Sequence, residues 1–172
     1  MSRNGLRLFG LAAALAVFVA DQLVKWYVTG PLDLVNVGAI PLLPFFDLRY
    51  TQNFGVSLGL FTANSAEMRL ALIAVTALIA AGVLVWLLRE TSRWDVFGLG
   101  LVLGGALGNI RDRLTGGFVI DYADFHIGEW RPFLIFNLAD AAITVGVLFL
   151  LARSLLSREK RGPSDPVPTE TN

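Results

Sequence analysis

Two groups of acidic side chains border hydrophobic segments in this chain. Asp140 lies a few residues into an apolar run covering 133–151, and Asn137 precedes it by about one helical turn. A run of that length is enough to cross a bilayer, where an ionised carboxylate is costly and marks function. Asp121 and Asp124 form a second acidic cluster upstream, shortly after another apolar run. Carboxylates that meet where two spans leave the lipid can share a proton, one held neutral and one ionised. Such a pair can hydrolyse a peptide bond without a metal or a covalent intermediate. The ionised group deprotonates a water, while the neutral one donates to the scissile carbonyl oxygen. If Asn137 caps a helix, the positive helix end stabilises ionised Asp140 and leaves Asp121 to hold the proton. Spacing alone does not separate Asp121 from Asp124, and either carboxylate could instead cap a helix or pair with an arginine. Asn53, Asn109, Asn137 and Arg113 are candidates to orient the pair or the substrate amide.

Weaker constellations surround this one. Asp21 and Lys25 share a helix face at i, i+4, the spacing of a structural ion pair. Asp112 reads as a partner for neighbouring arginines. Lys25 with Ser57 could imitate a Ser–Lys hydrolase, but no spacing supports it. His126 is the only histidine, so a metal site would be mostly carboxylate, and no ligand spacing suggests one. No cofactor is implied. Cysteine is absent, which excludes disulfides, thiolate nucleophiles and cysteine-based metal sites.

The elements that must position these groups are membrane spans. Of 172 residues, 55% are hydrophobic and 16% charged, whereas a soluble domain carries about a quarter charged residues. The expected class is an all-α membrane protein of one compact bundle. Net charge is +0 and no basic tract appears, so nothing points to nucleic acid. Four stretches qualify as spans: 6–28, 68–88, 96–110 and 133–152. The third is short and needs extended ends, local thinning or shielding by its neighbours. Arg3, Arg7, Arg89, Arg93, Arg153, Arg158, Lys160 and Arg161 crowd the short segments on one side. Lys25, Arg49, Arg69, Arg111, Arg113 and Arg131 are spread over longer loops on the other. This density places both termini in the cytoplasm. The first span starts basic and has a small-residue site near Ala20, but its length and three following spans argue for retention rather than cleavage. Residues 1–161 read as one domain and the Ser- and Pro-containing tail 162–172 as disordered.

The loop over 30–66 is interrupted by Pro31, Asp33, Pro41, Pro44, Asp47 and Arg49. Within it, 46–53 alternates apolar and polar residues like a half-buried strand, Asn53 to Gly55 turns, and 56–61 alternates again. This predicts a small β-element with one apolar face on the outer membrane surface. Asn64 with Glu67, and Ser92 with Asp95, resemble capping boxes opening the second and third spans. Gly100, Gly104 and Gly108 recur every fourth residue, which lets helices approach closely in lipid. Gly116 and Gly117 end the third helix, after which 118–120 suits an extended segment delivering Asp121 to the membrane surface.

At these residues the chain resembles lipoprotein signal peptidase, the bacterial aspartyl signal peptidase II family, over most of its length. Four blocks match in order: Asp21 with Lys25; Asn53 with Gly55; Gly108, Asn109 and Arg113 leading to Val119 and Asp121; and Asn137 with Asp140. The last two blocks on a four-span profile are highly specific. The resemblance implies that Asp121 and Asp140 form the catalytic dyad, resolving the tie with Asp124. It also implies that Asn53, Gly55, Asn109, Arg113 and Asn137 line the site and that Asp21 and Lys25 give structural support. Implied partners are membrane lipids and prolipoproteins whose cysteine already carries a diacylglyceryl group, cut just before that cysteine. Globomycin-type inhibitors are implied too, with a monomer in the bacterial inner membrane and its active site at the periplasmic face. The chain departs from the pattern at Val56 and Leu58, where small residues and then Phe are usual. Asp124 is an unexpected negative charge near the dyad. By position, the amphipathic loop region 46–61 and the loop 122–132 can cover a lipid-anchored substrate. Two other classes remain: a proton-coupled transporter using Asp21, Lys25 and Asp140, and a membrane scaffold, which leaves Asp140 unexplained.

Overall fold

The computed structural model describes residues 1–55 and 66–159. Four long helices, α1 (Arg3–Thr29), α3 (Ala66–Arg89), α4 (Arg93–Thr115) and α5 (Leu138–Glu159), form the bundle. A single-turn helix α2 (Leu34–Val37) and three strands, β1 (Ala39–Leu43), β2 (Phe46–Asn53) and β3 (Val119–Phe125), complete the fold. The expected segments 56–61 and 162–172, Ser57 and the Asn64 cap lie outside the described residues.

Local chemistry sets the helix starts. The Ser2 hydroxyl accepts the Gly5 N–H at 3.1 Å and opens α1. Ser92 accepts the Asp95 N–H at 3.4 Å and opens α4. The capping box expected there is only half made, because the Asp95 carboxylate turns to Arg153 at 2.6 Å. Glu90 takes the Ser92 N–H instead, at 2.9 Å.

Helices α1, α3 and α5 are long and apolar enough to cross a membrane. They expose large apolar side chains outward, among them Leu15, Leu78, Ile79 and Leu148. Helix α4 runs beyond the 96–110 segment at both ends and packs against each of the other three. Its glycines explain that centrality. A Cβ on Gly100 would meet the Gly10 carbonyl oxygen at 2.7 Å, and one on Gly104 would overlap the Ala14 carbonyl, so this stripe seats α1. Gly98 and Gly105 do the same for α5. The four-residue spacing therefore is a packing device.

The strands form one antiparallel sheet in the order β1-β2-β3. Strand β2 has the bounds its alternation predicts. Strand β1 is unexpected, because Pro41 reads as a breaker; it forms an edge, where a missing N–H is tolerated. Val28 and Leu34 pack with Tyr122 and Ala123, with Phe46 and Leu48 against them, which seats the sheet on the C-terminal end of α1. The fourth predicted span needs correction: its helix starts at Leu138, not at residue 133. Phe136 is drawn onto β3 instead, donating to the Ala123 carbonyl at 3.1 Å and accepting its N–H at 2.8 Å. Asp140 thus stands in the first turn of α5, not deep in a span.

Candidate active site

The beginning of α5 collects its caps from three elements. Tyr122 on β3 accepts the Leu138 N–H through its hydroxyl at 3.1 Å. Asp21 on α1 accepts the Ala139 N–H at 3.0 Å. Asn137 accepts the Asp140 N–H at 2.9 Å, and the Asp140 carboxylate accepts the Asn137 N–H at 3.3 Å. That reciprocal pair is a capping box with Asp140 at its third position. The expected Asn137 cap is present, and it sets the Asp140 carboxylate against the first N–H groups of the helix.

Asparagine side chains then deliver amide groups to the two carboxylates. Asn137 donates to Asp121 at 2.6 Å, Asn53 donates to Asp121 at 3.0 Å, and Asn109 donates to Asp140 at 2.7 Å. Each amide is oriented through its own carbonyl oxygen, since an amide so held can present only its N–H bonds elsewhere. The Gly55 N–H holds Asn53 at 2.9 Å, Lys25 holds Asn109 at 3.3 Å, and the Asp140 N–H holds Asn137. Gly55 adopts φ +98°, and a Cβ there would overlap Leu72 of α3. Only glycine serves that turn without strain. Asn137 therefore touches both carboxylates, and Asp121 and Asp140 belong to one network.

Behind them lies a buried ionic cluster. Lys25 pairs with Asp21 at 2.8 Å and with Asp112 at 2.7 Å, all three nearly inaccessible. Asp112 also accepts from Gln22 at 3.1 Å and from the Ile120 N–H at 3.3 Å, which pins the start of β3 to α4. This corrects the expectation that Asp112 serves neighbouring arginines: on α4 it faces α1 and β3. Gly108 makes room for the cluster, since a Cβ there would come within 2.6 Å of an Asp21 oxygen. The expected supporting pair Asp21–Lys25 is present, and it does more than an i, i+4 bridge: one member caps α5 and the other orients Asn109.

Asp124 is fully buried, yet it is no bare charge beside Asp121 and Asp140. Arg49 donates to it at 2.9 Å and Arg131 at 3.1 Å. Three residues from Asp121 on an extended strand, it projects from the opposite face. Arg113 stands at the end of α4, where the carboxylates it feels most are Asp140, Asp121 and Asp112. Its Nε is buried without a hydrogen-bond partner among the described residues. Sequence reading missed Tyr122 and Gln22. Asp112 was visible, three residues after Asn109 on one helix face, but its partner was not.

The Asp121 carboxyl is pushed up to about 6, chiefly by burial and further by the nearby Asp140 charge. The Asn53 and Asn137 amides and the Lys25 charge oppose that rise. One carboxyl held toward neutrality beside another at a helix N-terminus is the arrangement for acid/base work on water. An open cleft of about 320 Å³ leads to it, lined by Asn53, Phe54, Gly55 and Asp121 with Leu134 and Ile135. Phe54 leans on Phe118, ring centroids 5.5 Å apart.

A family model described as Signal peptidase (SPase) II matches residues 13–156. A lipoprotein signal peptidase of Rhizorhabdus wittichii is 52% identical over 161 residues, covering 94% of each chain. That of Sphingopyxis alaskensis is 51% identical, covering 94% of this chain and 93% of its own. Among solved structures, a bacterial membrane enzyme determined by the in meso method at 2.3 Å resolution superimposes with a TM-score of 0.73. It is 24% identical and covers 92% of this chain and 93% of its own, a likeness of fold.

Proposed function

The chain belongs to the signal peptidase II family, and on that premise we propose that it removes signal peptides from diacylglyceryl-modified prolipoproteins. It cuts immediately before the lipidated cysteine, with Asp121 and Asp140 as an acid/base dyad. The observation that carries this reading is Asn137, whose side chain and backbone N–H contact one carboxylate each.

Ionised Asp140 takes a proton from a water as its oxygen adds to the scissile carbonyl carbon. Neutral Asp121 gives its proton to the carbonyl oxygen, producing a tetrahedral diol. Collapse returns that proton to Asp121 and breaks the C–N bond, and Asp140 passes its proton to the departing amine. Asn53, Asn109 and Asn137 hold the carboxylates through this exchange. Arg113, with spare donors beside the dyad, binds a substrate carbonyl. Helix α4, about 34 Å long at the usual rise per residue, is the third span in chain order and completes the set of four, shielded by the other three. Both termini are cytoplasmic and the dyad stands at the periplasmic face. The chain supplies both carboxylates itself and works as a monomer, without a cofactor. Phe54 and the 122–132 loop cover the lipid-bearing substrate, and globomycin-type inhibitors occupy the same cleft.

In cells depleted of their own lipoprotein signal peptidase, expression of this chain is expected to restore maturation of prolipoproteins, read as the mobility shift of the precursor. Membrane-inserted protein that leaves the precursor accumulated would contradict the proposal, and a proton flux in its place would favour a transporter.

The pH dependence has a definite sign. The acid step needs Asp121 protonated, and that fraction falls as pH rises through about 6. The value of kcat/KM for a labelled lipopeptide should therefore decline above about pH 6. Asn53 stabilises the charged form of Asp121, so Asn53→Ala should move this alkaline limb to higher pH. A limb that stays in place, or moves down, contradicts the assignment of the proton to Asp121.

A further inference from the structure

Opposite the dyad, α1 and α4 enclose a second feature that the peptidase chemistry leaves unused. An apolar groove of about 540 Å³ runs between them, lined by Leu11, Leu15 and Phe18 on one side and Leu107 and Leu114 on the other. Most of these side chains are exposed. At its outer end the groove meets Arg111 and Thr115, which also line a separate polar pocket of about 280 Å³ beside Gln22, Trp26 and Thr29. The two cavities adjoin at Arg111 and Thr115 as one depression, apolar below and polar above, where Lys25 and Asp112 line it as an ion pair and Arg111 adds a positive charge.

We propose that this depression holds one anionic phospholipid, with an acyl chain in the groove and its phosphate on Arg111. Length and charge choose the occupant. From Leu103 to Thr115 the groove extends about 18 Å along α4 at the helical rise, close to one leaflet of hydrocarbon at about 15 Å. Arg111 sits about 12 Å along that path at the same rise, and its long side chain can carry the guanidinium on to the level where a headgroup phosphate would lie. Its guanidinium touches the neutral Gln22 side chain. Among the described residues no carboxylate forms an ion pair with it, whereas Arg49, Arg131 and Arg153 each have one. A zwitterionic lipid carries the same phosphate, but its ammonium cancels the attraction; a net anionic headgroup keeps it. A second protein copy seated in the groove by apolar contact would leave Arg111 without a complement.

The inference rests on the transmembrane placement of α4 proposed above, not on the dyad. Wild type, Arg111→Gln and Leu107→Trp are purified, offered phosphatidylglycerol and phosphatidylcholine in equal amounts, and read by native mass spectrometry for retained lipid. Peptidase rates are measured in parallel, so a lost lipid site and a lost peptidase are told apart. Wild type should retain phosphatidylglycerol preferentially, Arg111→Gln should lower that preference about fivefold, and Leu107→Trp should displace both lipids. Both positions are exposed, so neither change threatens the fold. Equal retention by wild type and both variants overturns the site. So does a higher KM for lipidated substrate in Leu107→Trp with phosphatidylglycerol retention unchanged, which would give the groove to the substrate's own acyl chains.

Discussion

Asp121→Asn and Asp140→Asn are each expected to slow prolipoprotein maturation by about 10² to 10⁴-fold, the range of a lost acid/base partner. The substitutions keep the shape of the side chain and remove its proton chemistry. An asparagine at 121 still accepts from one of its two amide donors, and one at 140 still has the helix end beneath it, so folding should survive. The effects should not add. With either carboxylate gone, the other has no proton partner, and the double variant should be no slower than the worse single one. Precursor-to-mature ratios in depleted cells, with membrane abundance measured alongside, decide it. Wild-type maturation by either variant at wild-type abundance would remove that residue from the dyad.

Lys25→Met should have the largest effect on stability. Lys25 is the cation between two buried carboxylates, Asp21 and Asp112. Its removal leaves two uncompensated charges, and breaking a buried pair costs about 3 to 5 kcal/mol. It also removes one of the two donors on the Asn109 carbonyl, leaving the Asn137 amide at 3.3 Å, so that the Asn109 amide turns more readily and withdraws its donor from Asp140 at 2.7 Å. Thermal unfolding in nanodiscs measures the first loss and kcat the second. Combining Lys25→Met with Asp21→Asn and Asp112→Asn removes the stranded charges and should return much of the stability. It should not return kcat in full, because the Asn109 carbonyl keeps only the Asn137 amide as a donor, at 3.3 Å. Recovery of both together would make Lys25 a purely structural group, not a positioning residue.

Much of this arrangement is local, and local features are legible in a sequence. The apolar runs, the alternation over β2 and the Asn137 cap before Asp140 follow from periodicities of 3.6 and 2 and from which side chains satisfy a helix end. The errors are instructive. The last span begins at Leu138 because 133–137 supplies a backbone partner to β3. Hydrophobicity does not distinguish an apolar strand-edge residue from a helical one. Pro41 hides an edge strand because a missing N–H is harmless only where no neighbour needs it, and that depends on sheet order.

The sequence by itself determined the membrane class, the helical segments and a carboxylate at a helix N-terminus. Its four blocks also named Asp121, but through resemblance, not through a physical reason. Only the tertiary structure decided why Asp121 and not Asp124 meets Asp140. Arg49 and Arg131 claim Asp124 on one side of β3, while Asn53 and Asn137 meet Asp121. It also decided that Asp21 caps a helix 118 residues away. That contact exists because α4 lacks side chains at Gly100, Gly104 and Gly108, which lets α1 come close enough to reach the start of α5. Spacing along a chain encodes faces and ends of elements. Which faces meet is set by how closely the helices can pack.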